Sequence, residues 1–199
     1  MRPGKIGTIA SSEKPPNDPT SVVATPLGLG GVTATWVDNA TTESGYEVEY
    51  EKNDSGTWVA FTSSPYAANT ITADQGSTSG NWEKIRVRVK ATIGGNWVIS
   101  AAIYKLIAPT SVVVTAAAGS PISATWNDNS SYEDGYEIQY QIDGAGWNTH
   151  TNSATGANST SSGDGTNPTL DGGEFVEVRV RSTLAGQTSS SWAIGSDTA

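Results

Sequence analysis

The chain reads as an all-β protein: two tandem antiparallel β-sandwiches preceded by an extended N-terminal arm. Three observations carry this reading. The composition, 22 glycines, 9 prolines and 49 serines and threonines among 199 residues, favours strands and turns over helix. Apolar residues alternate with period two, and no stretch shows a helical period. The chain also repeats itself: residues 19–52 and 109–142 are identical at 16 of 34 positions without a gap. A period of 90 residues exceeds any solenoid unit and suits a small self-standing domain. The expected boundaries are 1–18 for the arm, 19–107 for the first sandwich and 108–199 for the second.

The elements follow in order. Residues 1–18 carry three prolines and few large apolar side chains, which predicts an extended segment outside any core. Their first residues lack the apolar run of a secretory signal, so none is expected. An opening strand, Pro19-Thr-Ser-Val-Val-Ala-Thr, returns as Pro109-Thr-Ser-Val-Val-Val-Thr. In the next strand Val32, Ala34 and Trp36 share one face, with Thr33 and Thr35 on the other. Its end, Trp36-Val-Asp-Asn, returns as Trp126-Asn-Asp-Asn. A third strand alternates Tyr46, Val48 and Tyr50 with Glu47, Glu49 and Glu51; its counterpart begins Gly135-Tyr-Glu-Ile. A late strand alternates Ile85, Val87 and Val89 with Arg86, Arg88 and Lys90, and returns as Val176-Glu-Val-Arg-Val-Arg. Turn signals such as Asp38-Asn39, Ser44-Gly45, Ser55-Gly56 and Gly94-Gly95 fall between these runs. Half-buried strands joined by short turns make an antiparallel sandwich.

Composition also narrows the chemistry. A net charge of −9 makes the chain a poor polyanion binder, so no nucleic-acid partner is expected. No window of 18 apolar residues exists to span a membrane as a helix. There is no cysteine, hence no disulfide, thiol nucleophile or thiolate metal site. The single histidine, His150, has only Thr149 and Thr151 beside it and no nucleophile elbow anywhere in the chain. It is expected to be a surface residue and not a general base. Asp38, Asn39 and Glu43, with Asp128, Asn129 and Glu133, offer oxygen donors of the kind calcium takes. They lack the spacing of a calcium loop, and turn shaping by their own side chains is the better expectation. No catalytic, cofactor-binding or metal-binding residue is expected. Of seven tryptophans, Trp36 and Trp126 belong to the cores, and Trp58 and Trp147 flank them. Trp82, Trp97 and Trp192 are the candidate interface aromatics, suited to protein contact ahead of sugar stacking.

The opening Pro-Thr strand, the Trp ending the second strand, the Gly-Tyr-Glu-x-x-Tyr third strand and the late Arg-Val-Arg/Lys strand together resemble fibronectin type III domains. The segment Trp-x-Asp-Asn-x-x-x-Glu-x-Gly-Tyr is similar to the version found in tailed-phage virion proteins and bacterial extracellular proteins. The resemblance covers all but the arm. It implies a scaffold for spacing, adhesion or assembly without inherent catalytic residues. It implies that the third and sixth strands are neighbours, so that Glu47, Glu49 and Glu51 face Arg86, Arg88 and Lys90 across a solvent face. In the second repeat Glu137, Gln139 and Gln141 would face Glu177, Arg179 and Arg181. The family's usual sixth-strand Tyr is replaced by Ile85 and Val176, which implies that its hydroxyl latch is missing.

Charge is distributed unevenly: the arm is +1, residues 19–107 are −2 and residues 108–199 are −8. The functional expectation is a non-catalytic structural component of a tailed-phage virion, either a decoration or a tail-associated protein. Arg2, Lys5 and Lys14 would meet an acidic partner, and Ile6 and Ile9 would anchor the arm by apolar burial. Partners would be other virion proteins in a multi-copy or homo-oligomeric assembly, the location the virion, with the acidic second domain in solvent. The alternative is a carbohydrate-binding or adhesion module of a larger bacterial protein, extracellular or at the cell surface.

Overall fold

A computed structural model describes residues 14–28, 30–153, 155–163 and 167–199. The arm residues Arg2, Lys5, Ile6 and Ile9 lie outside the described residues. Sixteen strands and no helix occur among those described. In the first repeat these are β1 (Thr20–Leu27), β2 (Gly31–Val37), β3 (Gly45–Lys52), β4 (Val59–Ala60), β5 (Tyr66–Ala67), β6 (Thr72–Gln75), β7 (Lys84–Ala91), β8 (Val98–Ile99) and β9 (Ile103–Tyr104). The second contains β10 (Thr110–Thr115), β11 (Ser123–Asn127), β12 (Gly135–Ile142), β13 (Asn148–Thr149), β14 (Thr155–Gly156), β15 (Phe175–Thr183) and β16 (Ala193–Thr198).

One sheet of the first repeat runs β1-β2-β6. The other runs β4-β3-β7-β8, with β5 also on β3 and β9 also on β7. The second repeat has β10-β11 in one sheet and β13-β12-β15-β16 in the other, with β14 also on β12. The pairs between these strands are antiparallel. By contact density the chain divides into two compact units. Of the described residues, one unit comprises those through Glu51 with Ser55–Gly80 and Arg86–Ala102; the other holds Lys52–Asp54, Asn81–Ile85 and those of Ile103–Ala199.

The alternation read from the sequence becomes burial. Val32, Ala34 and Trp36 of β2, Tyr46, Val48 and Tyr50 of β3, and Ile85, Val87 and Val89 of β7 are all buried. The second core packs Ile122, Ala124, Trp126, Tyr136, Ile138, Leu170, Val176, Val178 and Val180. Trp36 lies 5.4 Å from Tyr46 and Trp126 lies 5.3 Å from Tyr136, ring centre to ring centre. Tilted contacts of this kind add to area burial.

Each residue of the repeated Trp-x-Asp-Asn-x-x-x-Glu-x-Gly-Tyr segment has a structural task, performed twice. Asp38 Oδ1 accepts from the Ala40 N–H at 2.9 Å and from the Tyr46 hydroxyl. Asp128 does the same for Ser130 N–H and the Tyr136 hydroxyl. Burial first, then the neighbouring carboxylate, pushes both tyrosine hydroxyls well above their ordinary pKa. The missing sixth-strand Tyr is thus answered by a third-strand Tyr that fastens to a loop carboxylate, while Ile85 and Val176 are fully buried. Asn39 donates to the Asp18 carbonyl and the Thr20 hydroxyl, and Asn129 to Ala108 and Thr110 in the same way. These clamps hold the start of β1 and β10, where the register breaks between Thr20 and Val23 and between Thr110 and Val113. Glu43 and Glu133 accept from the N–H of Asn69 and Asn158. The glycine is obligatory: a Cβ on Gly45 would lie 2.0 Å from the Tyr66 carbonyl oxygen, and one on Gly135 would lie 2.2 Å from that of Thr155.

The last residues of the expected arm are part of the first sandwich. Asn17 donates to the Asn39 carbonyl at 2.9 Å. Asp18 accepts from both the backbone and the side chain of Asn96, at 2.6 and 3.0 Å, and these bonds hold its carboxyl below the ordinary range. Pro16 and Pro19 are buried. The expected boundary at residue 18 therefore falls too late, because a contact 78 residues away along the chain ties down a segment whose local composition reads as loose.

Candidate functional site

The most chemically loaded surface is the outer face of the sheet built on β3 and β7. The cross-strand ladder implied by the family resemblance is present there. Arg86 pairs with Glu51, Arg88 with Glu49 at 2.7 Å through Nε, and Lys90 with Glu47 at 3.1 Å. The second repeat keeps the register Glu137 to Arg181, Gln139 to Arg179 and Gln141 to Glu177. Arg181 Nε donates to Glu137 at 2.8 Å and Arg179 Nε to Gln139 at 2.9 Å.

The tryptophans are threaded through this ladder. The Arg86 guanidinium lies 5.7 Å from the ring centre of Trp58, and that of Arg88 lies 4.4 Å from it. Arg88 is also 4.3 Å from the Trp97 ring, and the Lys90 ammonium is 4.8 Å from it. Alternate residues of one strand stand roughly 6.4–6.8 Å apart. A ring within reach of both 86 and 88, or of both 88 and 90, therefore sits between them. The order along the face is Arg86, Trp58, Arg88, Trp97, Lys90. In the second repeat it is Trp147, Arg179, Trp192, Arg181, with distances of 4.2, 4.4 and 4.4 Å. Glu177 stands where Arg86 does, so that stack is shorter by one cation. Such contacts contribute roughly 0.5–1 kcal/mol each at exposed sites.

This corrects part of the sequence reading. Trp82 is only 3% exposed and leaves the set of surface aromatics. Trp97 and Trp192 are half-buried, with ring faces against cations and not open to a flat ligand. Glu51 is not on a solvent face: it is 4% exposed, with Oε1 accepting from the Gly56 N–H at 2.8 Å and Oε2 from Arg86. The turn after β3 folds back over it, and strand alternation alone does not reveal that. His150 is likewise buried, at 1% exposure.

The pairs nearest solvent are worth little. Glu47 is 39% exposed at its side chain and Lys90 26%, and exposed pairs contribute about 0.2–1 kcal/mol. Glu47→Gln is expected to lower first-sandwich stability by no more than that, and the loss should shrink in 1 M salt, as urea titrations at two salt concentrations would show.

No group of three or more His, Asp or Glu side chains arranged to hold a metal occurs among the described residues. A shallow pocket of about 80 Å³ is lined by Lys14, Pro15, Pro16, Asn17, Thr41 and Thr42, well below the roughly 300–1,000 Å³ of small-molecule sites. Lys14 is exposed at its rim.

No family model matches the chain, and no curated protein does. Among solved structures, a two-domain fibronectin type III segment of chicken tenascin is 13% identical with a TM-score of 0.52, covering 92% of this chain and 99% of that one. The first three fibronectin domains of chicken CNTN1 are 16% identical with a TM-score of 0.41, covering 92% of this chain and 66% of that one. With its antiparallel sheets and the tenascin likeness, the chain has the fold of tandem fibronectin type III domains.

Proposed function

We propose that the chain is a non-catalytic interaction module, and specifically a structural component of a tailed-phage virion, a decoration or tail-associated protein. The observation that carries the non-catalytic reading is how the polar side chains are spent. The carboxylates of the repeated loop fasten backbone and tyrosine, and those of β3 neutralise the cations of β7. What remains is a pair of sandwiches that present surfaces. The charge asymmetry supports an orientation: the +1 arm and −2 first domain contact the assembly, and the −8 second domain stays in solvent. Partners on this reading are other virion proteins in many copies. The carbohydrate-binding alternative is less favoured because Trp58, Trp97, Trp147 and Trp192 stack on cations.

Arm ordering on a partner costs about 1–2 kcal/mol per residue of backbone entropy, which strand addition or burial of Ile6 and Ile9 would offset. The truncation that tests the arm removes residues 2–13 and spares 14–18, which hold the first sandwich. The truncated protein is expected to keep its melting temperature and to lose binding to particles lacking the native protein. Full-affinity binding by the truncated protein would sink the arm as anchor.

A further inference from the structure

We propose that His150 is an acid-sensitive pin in the second sandwich. The same corner is built in both repeats. Phe61 N–H donates to the Val48 carbonyl and His150 N–H to that of Ile138, at 2.9 and 3.0 Å. Ser64 and Ser153 then bond back to the carbonyls of Phe61 and His150, and their hydroxyls accept from Val48 N–H and Ile138 N–H. The next residue, Thr62 or Thr151, donates to a side-chain amide oxygen, Gln75 or Asn167. What differs is the ring in the corner: a benzene ring at Phe61, an imidazole at His150, both 1% exposed.

The imidazole is held as the neutral form. Its Nδ1 accepts from the backbone N–H of Asn152 at 3.1 Å. Its Nε2–H donates to the Ile122 carbonyl at 3.1 Å. The Asn167 amide nitrogen donates to that same carbonyl and lies 2.5 Å from Nε2, and the Tyr140 ring meets the imidazole at a near-right angle, 6.4 Å between ring centres. Among the described residues these are the groups recorded against the ring, and no carboxylate or cation is one of them. A second proton on Nδ1 would point at a backbone N–H that cannot turn round, and it would place a charge beside no carboxylate among the described residues. Burial pulls the imidazole below its ordinary pKa, opposed in part by the Ile122 carbonyl.

The ring joins the two sheets at this end. His150 follows β13, in the sheet of β12, and Ile122 precedes β11, in the other sheet. Protonation at Nδ1 leaves the Nε2–H bond to Ile122 in place but forfeits the bond from the Asn152 N–H, releasing the segment that continues through Asn152, which itself donates to the Ser162 carbonyl. Between pH 7.5 and 5 the second sandwich therefore loosens, and the first, with Phe61, does not.

The sign follows from linkage. A folded-state pKa below the unfolded value of about 6.5 stabilises fully above pH 6.5 and less as pH falls below it. For one proton the unfolding constant rises up to tenfold per pH unit until the folded pKa is reached. The chain has one histidine, so its Cε1–H signal in NMR is unambiguous, and the indole N–H signals of Trp36 and Trp126 report the two cores separately. Between pH 7.5 and 5 the folded His150 signal should stay at its neutral position past pH 6.5. In urea, the Trp126 unfolding constant should rise with acid by severalfold more than that of Trp36. His150→Phe, which copies the first repeat, should abolish the difference. A His150 signal that titrates near 6.5 with the native spectrum intact would overturn the proposal. So would a Trp126 unfolding constant that is flat over this range. Both are wild-type measurements and decide the matter even if the variant does not fold.

Discussion

Trp126→Ala is expected to destabilise the second sandwich by about 3–5 kcal/mol, the range for removing a large aromatic side chain from a core. The residue is 3% exposed and packs on Tyr136, itself fully buried. The cluster around it, which includes Ala124 and Val178, is already buried, and a core relaxes only partly into such a cavity. Because small domains are stable by only about 5–15 kcal/mol, the variant should melt far below the wild type. Trp36→Ala should do the same to the first sandwich. Calorimetric melts of each variant would give the effect on the sandwich that carries the substitution. An unchanged melting temperature in either variant would remove that tryptophan from the core.

Arg86→Ala is expected to carry the largest electrostatic cost, about 3 kcal/mol. Removing one partner of a buried ion pair typically costs about 3–5 kcal/mol because the other charge is left without compensation. Glu51 has 4% of its side chain exposed and Arg86 has 35%, so some water reaches the gap and the low end of the range applies. The contrast is Arg181→Ala, whose partner Glu137 is 29% exposed and whose loss should be under about 1 kcal/mol. Adding Glu51→Gln to Arg86→Ala should recover most of the loss, since a neutral amide still accepts from the Gly56 N–H. A double variant no more stable than Arg86→Ala would show that the cost comes from the lost Trp58 stacking instead.

Much of this architecture was legible before any coordinates. Period-two alternation assigned the buried faces of β2, β3 and β7, and the 90-residue repeat assigned each element twice. The resemblance to fibronectin type III domains implied that Glu47, Glu49 and Glu51 stand opposite Arg86, Arg88 and Lys90. What stayed hidden depends on contacts between residues far apart. Glu51 is buried by a turn folding back and by Arg86, so its strand face alone misleads. Trp97 and Trp192 find their cations across the sheet, in pairings that no local pattern encodes. Asp18 reads as the end of a loose leader until Asn96 is brought beside it. His150 reads as a surface residue between two threonines. Its place three residues after Trp147, matching Phe61 three after Trp58, was the available signal, and the different ring chemistry obscured it.

The register break at the start of β1 and β10 bears on how the protein behaves when crowded. Both strands lie at the rim of their sheet, where an uninterrupted row of backbone donors and acceptors would template pairing with another chain. Ser21 and Ser111 turn the backbone into the left-handed region, with φ of 51° and 53°, and Pro26 removes a further donor from β1. The opposite rim of the first repeat's sheet is β6, only four residues long. At high local concentration these rims thus resist pairing with another copy, unlike the regular strands of a fibril.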